Sequence, residues 1–364
     1  MAPRASFVVQ TAAQTYELRE APLPDIGPDD GLLALEGCGV CGTDLEVFEG
    51  VLSSDAYPLV PGHEPFGRIL KIGAAAAAKW QVSEGDRVAV HSTLTCGRCR
   101  TCRRGLRGCT APEFADTTIY GFRSPDVAPA LWGGFATHLY LAPEAIVVPL
   151  PEGLSVGSAS LFNVMSNGVD WVLQVGGMRA GMTVAILGPG PRGLASAIAA
   201  RAAGAAEIAI TGLSTDAERL GFALECGADY AVEVTGEDAV DAVLSRLRRP
   251  PDLVVDCTPL SVSSVTDAIR MAARRGVVVL AGMKGPDGMA PVPVDLVSAK
   301  QLTLKGAVSR SLESMEYAID LLGQGLAPYD RFASHAFPIE KAEQALHSLA
   351  SDHKPMHVRI VPSL

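Results

Sequence analysis

Short apolar runs broken by glycine and proline fill the first 150 residues: "SFVVQ", "GLLALEG", "FGRILKIG", "DRVAVHS", "ATHLYLA" and "AIVVPL". Runs of this length between turn residues predict short strands in an irregular, barrel-like β domain. The alanine tract in "GAAAAAKW" fits a helix or a loop equally well. Near residue 160 the rhythm changes. "TVAIL" leads into a glycine turn and an alanine-rich helical stretch closed by Gly204. After it, "EIAIT", "YAVEV", "DLVVDC", "GVVVLAG" and "QLTLKGA" alternate with helical patterns such as "DAERLGFALECGA" and "DAVDAVLSRLRR". Strands alternating with helices predict a parallel, doubly wound α/β sheet. From about residue 308 a helix "ESMEYAIDLLGQG", a second helix "EKAEQALHSLA" and a closing strand "HVRIV" complete the chain.

The turn after "TVAIL" is G-P-G-P-R-G, formed by Gly188, Pro189, Gly190, Pro191, Arg192 and Gly193. A strand before it and a helix after it give the pattern its meaning as a dinucleotide fingerprint. The first glycine permits the tight turn, the second admits a pyrophosphate, and the third lets helix and strand pack closely. The positive end of the helix favours the phosphates. An acid ending the second strand would bind a ribose 2′-hydroxyl. Here "EIAIT" runs into Gly212, with Ser214, Thr215 and Arg219 following. These leave room and donors for a 2′-phosphate, which favours NADP over NAD; the rival reading has Asp216 reach the ribose. Thr258, just past "DLVVDC", belongs with the cofactor-facing residues.

Net charge and length narrow the options. The chain has 364 residues, enough for two domains, and a formal net charge of −10. An acidic protein is a poor match for nucleic acid or an anionic membrane surface. No secretory signal and no membrane-length apolar run is visible, so a cytoplasmic protein is expected. Its eight cysteines then read as metal ligands or core residues rather than disulfides.

Four of them, Cys96, Cys99, Cys102 and Cys109, are spaced C-x2-C-x2-C-x6-C. Four thiolates this close suit a structural zinc ion; an iron–sulfur cluster is the alternative. Cys38 and Cys41 form a separate C-x-x-C, which alone could be a redox pair, half of a zinc site, or coincidence.

Taken together, "GVCGTD" at 39–44, "PGHEPFGRI" at 61–69, "GDRVAV" at 85–90, the four-cysteine lobe, "GGFATHLYL" at 133–141 and the glycine turn resemble the zinc-dependent medium-chain dehydrogenase/reductase family. The resemblance spans nearly the whole chain. It implies a GroES-like β-barrel catalytic domain from residues 1–164 and 308–364. A Rossmann domain of residues 165–307 is inserted between them, and family members form homodimers or homotetramers. It makes Cys41 and His63 ligands of a catalytic zinc, with Glu64 a carboxylate that ligates the metal or moves towards it. Asp44 orients the ligand histidine, and Thr43 bonds the substrate oxygen and starts a proton relay.

Two positions depart from the family. A third ligand usually precedes the glycine turn, but Asn163 stands there, and a neutral amide binds zinc poorly; Glu64 is expected to take its place. Glu46 stands where relatives often carry a relay histidine, and is either a proton acceptor or a surface acid. The last gap of the four-cysteine lobe is one residue shorter than usual. The resemblance implies hydride transfer between NAD(P) and a secondary alcohol, polyol, sugar-like substrate or the matching carbonyl. A zinc-less quinone-reductase-like enzyme and a non-catalytic NADP-binding protein are the alternatives. Phe122 and Trp132 could line a cleft or fill the core, and the remaining histidines are expected to be satisfied or solvated.

Overall fold

The computed structural model describes residues 3–52, 57–104, 109, 119–285, 287–351 and 355–363. The chain falls into two compact units, Met1–Leu161 with Tyr329–Leu364, and Phe162–Pro328. The first crossing lies near the expected 164. The return crossing lies at residues 328–329, beyond the expected 307–308.

The first unit opens with β1 (Arg4–Ala12) and β2 (Thr15–Pro22), an antiparallel pair. β2 is mostly exposed on both faces, so it lacks the alternation that would announce a strand. β3 (Gly31–Val40) leads into α1 (Gly42–Phe48), and β4 (Pro65–Ile72) pairs back on β3. The alanine tract is helical: α2 (Ala74–Trp80) ends at Gln81, whose φ of 54° breaks the helix. Alanine has the highest helix propensity, which decides between the two readings. β5 (Arg87–Val90), α3 (Arg100–Arg103), β6 (His138–Leu141), β7 (Val147–Pro149) and α4 (Val156–Ser160) follow.

In the second unit α5 (Phe162–Val169) runs into a π-helical turn over Asp170–Val175. Then come β8 (Thr183–Leu187), α6 (Pro191–Ala202), β9 (Glu207–Gly212), α7 (Ala217–Glu225), β10 (Tyr230–Glu233) and α8 (Ala239–Leu244). β11 (Leu253–Asp256), α9 (Ser263–Met271), β12 (Val277–Leu280), α10 (Val294–Lys300) and β13 (Thr303–Gly306) complete the sheet. Its order is β10-β9-β8-β11-β12-β13, with every pairing parallel. β8 and β11 are buried along their whole length, as expected of strands covered on both faces. α11 (Leu312–Gln324) stays with this unit. Asp170 accepts from Ser311 N at 2.8 Å and Ser314 Oγ at 3.0 Å at its start.

The chain then rejoins the first unit through α12 (Tyr329–Phe332), β14 (His335–Pro338), α13 (Ala342–Leu349) and β15 (Val358–Val361). Ser158 Oγ donates to Asp330 at 3.1 Å, tying α12 to α4. β15 pairs with β3, giving the order β14-β15-β3-β4-β5-β7, with β6 also on β3. Among the described residues no helix is long and apolar enough to cross a membrane.

His357, just before β15, corrects one expectation. Its ring is buried and neither nitrogen has a hydrogen-bond partner among the described residues. Burial, helped by the nearby Arg359 cation, pushes its pKa down to about 3 from 6.5. Above pH 6.5 neither the folded nor the unfolded chain protonates this ring. As pH falls towards 3 only the unfolded chain takes up the proton, so stability falls with pH across that window. Between pH 7 and pH 5 the cost is about 2 kcal/mol. Urea melts at the two pH values should show a loss of that size in the parent and little of it in His357→Leu; equal losses would refute the assignment.

Candidate active site and metal centres

β3 delivers Cys41 to the start of α1, where it is the N-cap residue in extended conformation. Asp44, at the third helical position, is 5 % exposed. Its Oδ2 accepts the Cys41 N–H at 2.9 Å, and its Oδ1 lies 3.0 Å from His63 Nδ1. One carboxylate therefore joins the helix start to the imidazole. With Nδ1 so held, His63 Nε2 faces Cys41 Sγ at 3.5 Å and Glu64 Oε1 at 3.8 Å. Burial alone would lower the His63 pKa, but Asp44 and Cys41 raise it well above the usual imidazole value.

Glu64 is fully buried at the entry to β4. Gly39 N donates to its carbonyl at 3.1 Å. A Cβ on Gly39 would run into the Glu64 carboxylate, so the glycine leaves the space this acid needs. A thiolate, an imidazole whose other nitrogen is held by an acid, and a buried carboxylate suit zinc with an open fourth position. Cys41, Asp44 and His63 bring ligand atoms within 4.8 Å of one another. Asp44 already engages both its oxygens, which suits an orienting group better than a ligand. Asn163 stands buried on α5 of the second unit, and within the first unit Cys41, His63 and Glu64 are the candidate donors.

Thr43 is half-buried on the first turn of α1, and Glu46 is exposed further along it. Among the described residues the Glu46 carboxylate has no hydrogen-bond or ion-pair partner, which suits a surface acid as well as a relay end. Gln10 was not legible as a site residue. Its buried amide donates to the Val47 and Phe48 carbonyls at 3.0 and 3.1 Å, holding the far end of α1. Phe122 is half-buried with its ring 6.0 Å from that of His63, whereas Trp132 belongs to the core. Cys38 is fully buried within β3, where burial raises its thiol pKa well above the ordinary value; it is packed, not reactive.

Cys96, Cys99, Cys102 and Cys109 bring their sulfurs within 4.8 Å of one another. Cys96 and Cys102 are 4.0 Å apart, as are Cys99 and Cys109. A zinc–sulfur tetrahedron has edges of about 3.8 Å, and a disulfide about 2 Å. Backbone N–H groups of Cys99 and Cys102 point at the sulfurs of Cys96 and Cys99 at 3.3 and 3.4 Å. Such donors stabilise thiolates, so the cluster fits a closed zinc site. The basic stretch threaded through it runs on into 105–108, outside the described residues.

In the second unit Gly188 has a φ of 95°, a conformation that favours glycine. A Cβ on Gly193 would strike the Gly188 carbonyl, so the third glycine is needed for close packing. Gly190 has open space where a Cβ would lie. Pro191 starts α6, which places Gly190 at the helix N-terminus. β9 ends at Gly212, where a Cβ would lie 2.8 Å from Pro189. Asp216 turns back on its own loop, accepting Leu213 N at 3.0 Å, with Arg219 3.9 Å away. Ser214 and Thr215 are exposed, and Arg219 is half-buried with its pKa lowered by burial.

Comparison with known proteins agrees with this layout. The alcohol dehydrogenase GroES-like domain family matches residues 27–152, and the zinc-binding dehydrogenase family matches 191–324. The chain is 39% identical over 361 residues to the Mycobacterium tuberculosis protein named "Probable alcohol dehydrogenase adh", covering 98% of both. It is 27% identical to the sorbitol dehydrogenase of Bombyx mori, covering 92% of each. Among solved structures, the alcohol dehydrogenase TADH of Thermus sp. ATN1 superposes with a TM-score of 0.83 at 26% identity, over 98% of this chain and 99% of that one. A zinc-binding dehydrogenase of Sinorhizobium meliloti 1021 bound to NADP shares the fold, with a TM-score of 0.85 at 24% identity over 99% and 100% of the two chains. With its GroES-like and Rossmann units and this extent of identity, the chain belongs to the zinc-dependent medium-chain dehydrogenase/reductase family.

Proposed function

We propose that this chain catalyses NADP-dependent, zinc-assisted interconversion of a secondary alcohol, polyol or sugar-like alcohol with its carbonyl. The observation that carries the reading is the convergence of Cys41, His63 and Glu64, with Asp44 locking the imidazole. When bound, zinc supplies Lewis-acid polarisation of the substrate oxygen and the nicotinamide supplies the hydride acceptor or donor. Thr43 holds the substrate hydroxyl and passes its proton outward, with Glu46 a candidate exit. Asp44 keeps the Nδ1 proton on His63, which leaves Nε2 free as a donor to metal. The glycine turn binds the pyrophosphate at the start of α6. The second zinc belongs to the four-cysteine lobe and is structural.

Relatives named alcohol and sorbitol dehydrogenases support the substrate class. Initial rates over a panel of primary alcohols, secondary alcohols and polyols, read at the nicotinamide absorbance, test it; turnover of primary alcohols alone would contradict it. The exposed Ser214 and Thr215, with Asp216 turned to its own loop, support NADP over NAD. Arg219→Ala should raise the KM for NADP by about tenfold or more, the size of one charge-assisted hydrogen bond, and leave that for NAD nearly unchanged. Equal effects on both cofactors would return Asp216 to the ribose.

A homo-oligomer is the expected assembly. Among the described residues β13 ends the sheet, pairing only with β12, and Met283, Met289, Val292, Val294 and Val308 in this unit are exposed. An open edge and apolar side chains suit a second copy of the chain. Reduced thiolates in the four-cysteine lobe suit the cytoplasm.

A further inference from the structure

Where β11 and β12 end, the second unit holds a pair of opposite charges, the acid buried and the lysine largely shielded. Asp256 closes β11 and is wholly shielded from solvent. Lys284, in the segment after β12, places Nζ 2.8 Å from Asp256 Oδ2. The same ammonium donates to the Thr258 carbonyl at 2.6 Å and to Ser264 Oγ at 3.0 Å, with Thr258 Oγ1 at 3.2 Å. Thr258 in turn donates its hydroxyl to Asp256 Oδ1 at 2.5 Å and its backbone N–H at 3.1 Å. Ser264 Oγ lies 2.9 Å from Asp256 Oδ2. Every proton of the ammonium has an acceptor.

Stability is a weak reason to keep such a pair. Desolvating two ions costs several kcal/mol each, and apolar residues of similar volume often stabilise a fold as well or better. Position is the better reason, and the atom held most tightly belongs to Thr258. Its Cγ2 stands 2.9 Å from where a Gly188 Cβ would be, against the first glycine of the turn. A Cβ on Gly282 would collide with the Thr258 backbone, and Leu260 N donates to Met283 O at 2.9 Å. The exits of β11 and β12 are thus tied around Thr258. They flank the point between β8 and β11 where the strand order reverses, and open sheets of this kind bind ligands there.

We propose that Lys284 and Asp256 are positioning residues for the dinucleotide. The pair locks Thr258 against Gly188 and so fixes the backbone beside the glycine turn. The inference rests on reading that turn as the cofactor site. NADPH binding by the full chain, followed by nicotinamide fluorescence alongside thermal melting, tests it. Lys284→Met should raise the Kd for NADPH by about tenfold or more, the size of effect that misplacement of a binding group brings. Because that variant leaves Asp256 buried alone, the doubly neutral Asp256→Asn/Lys284→Met is the decisive one. It should melt with the parent yet keep the raised Kd. Parental NADPH affinity in the double variant would overturn the proposal and leave the pair a purely structural contact. Gly190→Glu, at a position with open space around a Cβ, sets a carboxylate at the start of α6 and separates the two readings. If it binds NADPH normally, the dinucleotide assignment of the turn is itself refuted.

Discussion

Cys41→Ser should lower kcat/KM by about 10³-fold or more and remove one zinc per chain, while NADPH still binds with nearly parental affinity. The size follows from what the ligand set supplies. Lewis-acid polarisation is worth several kcal/mol at the transition state, and each 1.36 kcal/mol is a factor of ten in rate. Cofactor affinity is spared because the glycine turn lies in the other unit, between β8 and α6. Asp44→Asn should be milder, about 10- to 100-fold in metal affinity, because the amide can still accept the Cys41 N–H but no longer fixes the imidazole as an anion does. Glu64→Gln separates a ligand from a bystander. A ligand loses zinc on becoming an amide; a bystander keeps both zinc and rate. Unchanged activity and zinc content in Cys41→Ser would remove the catalytic metal centre from the proposal altogether.

The parts of this molecule written in local pattern are legible in the sequence. "TVAIL", the glycine turn and the alanine-rich helix occupy consecutive residues, so periodicity alone placed β8 and α6. Four cysteines within a short loop declare their cluster for the same reason. What escaped depends on contacts distant in sequence. The helical pattern of α11 is the same whichever unit it packs on. Its packing on α5, and the bonds from its start to Asp170 more than a hundred residues earlier, tie it to the second unit. β2 lies open on both faces and so carries no alternation. Lys284 reads as one more loop lysine until β11 and β12 are laid side by side, and His357 reads as solvated until β15 pairs with β3. The motifs named Cys41, His63, Glu64 and Asp44 from family resemblance. Which carboxylate faces Nδ1 and which faces Nε2 is a matter of geometry.

The same distinction between local and distant support predicts the behaviour of the four-cysteine lobe. Its only described regular element is the four-residue α3, whose residues are not buried, so among the described residues of the lobe little apolar packing is seen. Among the described residues its anchors include the bridge from Thr93 to Ile119, the bond from Tyr120 N to Ser92 O at 2.8 Å and that from Thr95 N to Glu144 O at 3.2 Å. Structural zinc in small sites contributes about 10–16 kcal/mol of apparent binding free energy, far more than those anchors can. Cys102→Ser should therefore lose one zinc per chain, shorten the half-life at elevated temperature by about tenfold or more, and expose the lobe to proteolysis. The kcat of the surviving enzyme should stay within about threefold, since no donor of the Cys41 site is touched. Cys41→Ser should do the opposite, losing the rate while keeping the half-life. Zinc analysis of the parent should find about two ions per chain, one for each donor set. If Cys102→Ser retained full zinc and full half-life, the lobe would not be a metal site. If it lost rate and half-life together, the two sites would be coupled, and the division into a structural and a catalytic ion would fail.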